Sequence, residues 1–168
     1  MLPTALASAD PQLPEYEIKA AFLYHFGKFI EWPEETKGIP RPEFFQICIL
    51  GDDPFGKSMN AFQGKTIRAQ KVLVSRIASI DEISENSPCR ILYVSPSEKN
   101  DLSAILIKVK GYPVLTVADQ KDGADAGAMI NLITLDQRVR FEINLKAALN
   151  AGIQINSKLL KLAVQIKE

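Results

Sequence analysis

Histidine and cysteine are nearly missing from this chain: His25 is the only histidine, and Cys48 and Cys89 are the only cysteines, in 168 residues. Without a C-x-x-C pair or a second histidine, no spacing for a structural or catalytic zinc site exists. No serine or cysteine nucleophile has an evident base, because His25 falls on an apolar helical stripe and Cys48 inside an apolar run. An excess of charge is also lacking, since twenty basic residues face twenty acidic ones. That balance gives no basic surface of the kind nucleic acid or anionic membrane requires. No apolar run approaches the roughly 20 residues of a membrane span. Repeats, low-complexity tracts and signs of a second domain are absent.

What is present is an ordinary globular composition, 46% hydrophobic, in a chain long enough to bury a real core. At the N-terminus, Ala7-Ser8-Ala9 before Asp10 has the A-x-A form with which a secretory signal peptide ends. Residues 1–9 are therefore expected to be a signal-peptide remnant or a disordered tail, with the domain occupying 10–168 and the protein exported. In an exported protein, two cysteines suggest a bridge. Two buried, reduced thiols fit the pattern as well.

Residues 15–31 read as a helix. Ile18, Ala21, Phe22, His25, Phe26, Phe29 and Ile30 recur at i, i+3, i+4 and form one apolar stripe. Glu15 and Lys19 read as a solvated i, i+4 pair. Pro33 ends the helix, and residues 33–43 are a connection rich in proline and charge. Strands and helices then alternate: strands at 44–50, 72–74, 90–95 and 113–118, with helical segments at 54–62, 79–85 and 99–108. Short, nearly all-apolar strands between helices indicate an α/β fold, a single domain with a mostly parallel sheet and helices on both faces. After a Gly/Asp loop at 120–126, the runs 128–135 and 138–143 join at Asp136-Gln137 as an antiparallel hairpin at the sheet edge. Helices at 144–150 and 156–166, the second capped by Ser157, close the chain.

Gly51-Asp-Asp-Pro-Phe-Gly-Lys-Ser58 matches the phosphate-loop pattern G-x-x-x-x-G-K-S between a strand and a helix. A small nucleotide-dependent phosphotransferase would use Lys57 and Ser58, with Asp119, ending an apolar strand, as its magnesium ligand. Against this, Asp52 and Asp53 stand where polyphosphate oxygens must approach, a repulsion of about 1 kcal/mol at 4 Å even in water. Pro54 removes one of the N–H donors such a loop depends on. The simpler reading is that Asp-Asp-Pro caps the following helix. A receiver-like metal pocket at Asp52 and Asp53 lacks its phosphoacceptor, since Arg90-Ile-Leu-Tyr-Val-Ser-Pro-Ser97 offers no carboxylate.

Arg140, Glu142 and Asn144 alternate with Phe141 and Ile143, so the three polar side chains share one strand face. They are the first choice for a ligand or partner patch. The alternative is an internal Arg140–Glu142 network tying the sheet to the last helices. If exposed, Tyr24, Trp32 and Phe55 are candidates for partner contact, because aromatics dominate binding hot spots; otherwise they are core.

Several blocks taken together resemble one family. They are Tyr16-Glu-Ile-Lys-Ala-Ala-Phe-Leu-Tyr-His-Phe26, Phe29-Ile-Glu-Trp-Pro33, Cys48-Ile-Leu-Gly-Asp-Asp-Pro-Phe-Gly56, Cys89-Arg-Ile-Leu-Tyr-Val94 with Ser97-Glu98, and Leu115-Thr-Val-Ala-Asp119. Gly127-Ala-Met-Ile-Asn-Leu132, Val139-Arg-Phe-Glu-Ile-Asn-Leu145 and Ser157-Lys-Leu-Leu-Lys-Leu-Ala163 complete them. In this order, from Tyr16 to about Lys167, the chain resembles the YfiR family of periplasmic regulators. The resemblance implies an α/β domain in the periplasm, dimeric, without a cofactor and without catalysis. It implies repression of a membrane diguanylate cyclase by binding its periplasmic sensor region, and so control of cyclic-di-GMP and biofilm formation. It further implies sequestration of the repressor by an outer-membrane lipoprotein. It favours Cys48–Cys89 as a redox-sensitive disulfide. Further cysteines that the family often carries in the C-terminal half are missing here. Asp52, Asp53, Pro54 and Phe55 belong to the family's signature; Lys57 and Ser58 do not.

Overall fold

The computed structural model describes residues 12–33 and 42–168. The expected signal-peptide remnant, 1–9, and most of the connection at 33–43 lie outside those residues. The first element is helix α1 (Gln12–Phe29), followed by the two-residue strand β1 (Ile30–Glu31). The strands β2 (Phe44–Leu50), β3 (Thr66–Ile67), β4 (Gln70–Ile77), β5 (Cys89–Val94) and β6 (Leu115–Ala118) come next. They are interspersed with α2 (Lys57–Asn60) and α3 (Leu102–Lys108), with a 3-10 turn at Ile80–Glu82 and with a 3-10 segment at Pro96–Asp101 kinked at Glu98. The chain closes with β7 (Ile130–Leu135), β8 (Arg138–Asn144), α4 (Leu145–Asn150), β9 (Gln154–Ile155), α5 (Ser157–Leu162) and β10 (Gln165–Lys167).

The sheet runs β10-β8-β7-β6-β5-β2-β4-β3. Its central five strands, β4, β2, β5, β6 and β7, are mutually parallel. Both faces are covered, as their continuous apolar sequences require. One core holds Phe26, Phe45, Tyr93, Phe141 and Trp32 under α1. The other holds Leu50, Leu92, Val94, Leu102 and Ile105 under α3. Fully burying each large apolar side chain contributes roughly 1.5–3 kcal/mol. Gly27 lets α1 lie close to the sheet, since a Cβ there would come within 2.8 Å of the Phe45 ring and 2.9 Å of Ile67.

Four local expectations need correction. The hairpin β7–β8 forms as expected around Asp136 and Gln137, both at positive φ, but the expected last helix stops at Leu162. Residues 165–167 turn back as β10, which pairs parallel with β8 and lies outside the hairpin. Asn156, not Ser157, caps α5, its Oδ1 accepting from Lys158 N at 2.8 Å. The segment at 54–62 is helical only from Lys57 to Asn60 and has Gly56 as N-cap without a side-chain hydrogen bond. Finally, His25 is exposed. The buried face of α1 is Lys19, Ala20, Leu23, Phe26 and Gly27, and the buried Ile30 continues it into β1.

Candidate functional site

Strand order reverses between β2 and β5: β4 follows β2 on one side, and β5 is laid down on the other. In open α/β sheets, ligands bind outside the carboxyl ends of the strands at such a point. Here that place is occupied by the protein's own turns. Gly51 follows β2 with φ of 92°, and a Cβ there would meet Ser97 Oγ at 2.6 Å and Glu98 Cγ at 2.8 Å. Asp52 N donates to Ser97 Oγ at 2.9 Å. Asp53 accepts from Phe55 N at 2.8 Å and from Arg76 Nε at 2.7 Å. The turn thus carries its own anion, held by its own arginine. Lys57 is exposed, and Phe55 points inward against Tyr16 and Tyr93, with ring centroids 5.6 and 4.7 Å away.

The next carboxyl end, that of β6, carries Asp119. Its Oδ1 accepts from Lys19 Nζ at 2.7 Å and its Oδ2 from the Tyr93 hydroxyl at 2.5 Å. Lys19 also donates to Glu15 at 2.8 Å and lies 4.6 Å from the Tyr16 ring centroid. The Lys19 and Asp119 side chains are 4% and 6% exposed, so this is a buried ionic cluster linking α1 to the sheet and not the solvated pair expected from Glu15 and Lys19. Burial raises the Asp119 pKa above its ordinary carboxylate value, against the pull of Lys19 and Tyr93. For Lys19, burial pushes downward, but its bonds to Asp119 and Glu15 outweigh that and the pKa is raised. Burial, then the Asp119 carboxylate, pushes the Tyr93 phenol far above its usual range. With both carboxylate oxygens engaged, Asp119 is not presented as a magnesium ligand, which removes a component of the phosphotransferase arrangement.

Cys48 and Cys89 form a disulfide, with Cα atoms 6.0 Å apart. Its geometry depends on a bulge. Gln46 pairs with Cys89 but Ile47 with Ile91, leaving Arg90 as the additional residue. Strict alternation from Ile91 would turn Cys89 toward the α1 face; the bulge re-aims it to the α3 face, where Cys48 lies. The carbonyl of the bulged Arg90 accepts from Trp32 Nε1 at 3.1 Å, and the Arg90 guanidinium lies 5.5 Å from the Trp32 ring centroid. Burial lowers the Arg90 pKa to about 10.

The remaining candidates separate. Trp32 and Phe55 are 0% and 2% exposed, so they are core struts, and a surface contact through them as exposed aromatics is corrected. Tyr24 is half-buried, stacked on Phe62 with its hydroxyl donating to Thr66 O at 3.0 Å. Arg140 is exposed, and no ion pair joins it to Glu142 among the described residues. Glu142 accepts from Asn131 Nδ2 at 3.3 Å. Asn144 caps α4 through Ala147 N and donates to Ala124 O, both at 3.0 Å. The strand face therefore holds one outward cation and two partly buried structural groups. Sequence reasoning missed Lys19, Tyr93 and Arg90. Lys19 could have been found as a cation interrupting an apolar helix face, with Asp119, an acid ending an apolar strand, as its partner.

Two solved structures share the fold. One is an ABC domain from Streptococcus pneumonia in complex with L-Trp, 15% identical with a TM-score of 0.50, covering 73% of this chain and 56% of its own. The other is a conserved domain protein from Vibrio cholerae, 12% identical with a TM-score of 0.51, covering 81% and 60%. This chain thus spans less than two thirds of either, and at such identity the likeness concerns fold alone. The sequence itself matches a family model described as YfiR/HmsC-like over residues 16–164, a span that takes in the closed turn, the bridged cysteines and the buried cluster. On that match, the protein belongs to the YfiR/HmsC-like family.

Proposed function

We propose that the protein is a periplasmic regulator that represses a membrane-bound diguanylate cyclase by binding its sensor region, and that it performs no catalysis. The observation that carries this reading is the family match over residues 16–164, a family of periplasmic regulators. The disulfide agrees with an oxidising compartment. The closed turn at Gly51 and the fully engaged Asp119 agree with a protein whose polar groups support its fold. Arg140, outward on β8 beside the exposed Leu135 and Val164, is the partner contact in this reading. A homodimer and sequestration by an outer-membrane lipoprotein belong to the same proposal. Both sulfurs belong to buried residues, so a redox response acts only after local opening.

Binding of the purified protein to the periplasmic sensor region of a cyclase encoded beside it is the test. Binding that is lost on Arg140→Ala, with cyclic-di-GMP rising in cells lacking the protein, supports the proposal. Absence of binding together with unchanged cyclic-di-GMP overturns it. The phosphotransferase alternative, using Lys57, Ser58 and Asp119, predicts a rise in Tm with magnesium–ATP. Ligand at 100 times its Kd adds about 2.7 kcal/mol, so an unchanged Tm ends that alternative.

A further inference from the structure

A cavity of about 260 Å³ opens between the C-terminal half of α3, the loop before β7 and the start of α4. Its apolar lining includes the buried side chains of Leu106, Val109 and Met129. An engineered cavity of about 150 Å³ takes up benzene, so this space is large enough for a single-ring guest. Two exposed cations, Lys110 and Lys146, line it, and neither forms an ion pair with a described residue. Their neighbours differ: Lys108 is paired with Asp81 and Lys167 with Asp125. No carboxylate lines the cavity. Deeper in, the buried Thr116 hydroxyl accepts from Met129 N at 3.0 Å. Its own hydrogen has no acceptor among the described residues, which leaves a donor for a guest.

We infer that this cavity binds a small monoanion with a compact apolar body, an aromatic carboxylate bearing a second polar atom. The apolar body rests on Leu106, Val109 and Met129. The two ammonium groups supply the charge a carboxylate needs, and Thr116 supplies a neutral donor at depth. A zwitterion is disfavoured, because its ammonium would meet two lysines and no acid. The site goes beyond the regulator proposal and does not depend on it.

The full chain is titrated with 4-hydroxybenzoate and with its neutral analogue 4-hydroxybenzamide, followed by amide chemical shifts. Saturable shifts at Gly127, Met129 and Ala147 are expected with the acid, and binding of the amide at least about tenfold weaker, the worth of one charge-assisted contact. Lys110→Met combined with Lys146→Met changes only exposed positions, and it is expected to weaken acid binding to the level of the amide. No saturable shift at these residues, equal binding of acid and amide, or unchanged affinity in the double variant each overturns the assignment.

Discussion

The two faces of the sheet are held by different physics. Under α1, aromatic rings surround a buried ionic cluster in which Lys19 from the helix meets Asp119 and Tyr93 from the strands. Under α3 the packing is mostly aliphatic, and the polar connection is replaced by a covalent one, Cys48–Cys89, between adjacent strands. Charges taken out of water cost free energy unless both partners and their hydrogen bonds are present, so the α1 face tolerates one geometry of helix on sheet. A disulfide acts mainly by restricting the unfolded chain and makes no comparable demand on α3. The difference predicts that position and specificity reside on the α1 face, and that a good part of the stability of the other resides in one bond.

Removing a single member of the cluster is the most severe way to break the comparison. Lys19→Ala leaves Asp119 buried without its cation and should cost about 3–5 kcal/mol in urea unfolding. Lys19→Met with Asp119→Leu should recover much of that loss; a small effect of the single variant would show that rings alone fix α1. The alkaline limb sharpens the point. Lys19 and Tyr93 both have folded-state pKa values raised above 10.5 and 10.0, so their contribution is complete below about pH 10 and falls as pH rises beyond it. Asp119 is also raised, so acid unfolding should not proceed through it. Lys19→Met should therefore remove the lysine's share of the decline above about pH 10, with the Tyr93 share remaining, and leave the acid limb in place.

Opening the other face comes next. Cys48→Ala with Cys89→Ala, which are 41 residues apart, should cost about 4 kcal/mol by chain entropy, with α1 amides still protected from exchange. Gly51→Ala should be milder, about 1–3 kcal/mol, because it forces a side chain to φ of 92° and against Ser97. Its effect would be read in thermal unfolding. Arg140→Ala should move stability by less than about 0.5 kcal/mol. The same variant should weaken partner binding by about 2 kcal/mol or more, a separation of stability from binding that calorimetry can check.

Legibility differs between the faces in the same way. The aliphatic α3 side follows from hydropathy, because Leu102, Ile105, Leu106 and Val109 recur at helical spacing over short apolar strands. The α1 stripe is read slightly out of phase, with Ile18 and His25 turned inward, for one physical reason. A lysine occupies a central buried position, and hydropathy assigns lysine to water. Its partner lies 100 residues away, beyond the reach of any local pattern. The end of the chain is misread for a related reason: Val164 and Ile166 continue an apolar helical spacing, yet β8 offers an unpaired edge, and pairing with it outweighs another turn of helix.

Sequence alone determined the α/β class, the parallel core, the hairpin at Asp136-Gln137 and the family, because short-range periodicity, turn chemistry and ordered motifs are local properties. Tertiary structure decided the rest. It placed Trp32 and Phe55 inside, left Arg140 outside, engaged Asp119 with Lys19 and filled the mouth of the sheet with Ser97. It also turned Cys89 toward Cys48 by one bulged residue, Arg90, whose carbonyl Trp32 satisfies. Those outcomes depend on which distant groups share a low-dielectric interior, where an unmet charge or hydrogen bond is costly and a met one fixes the geometry.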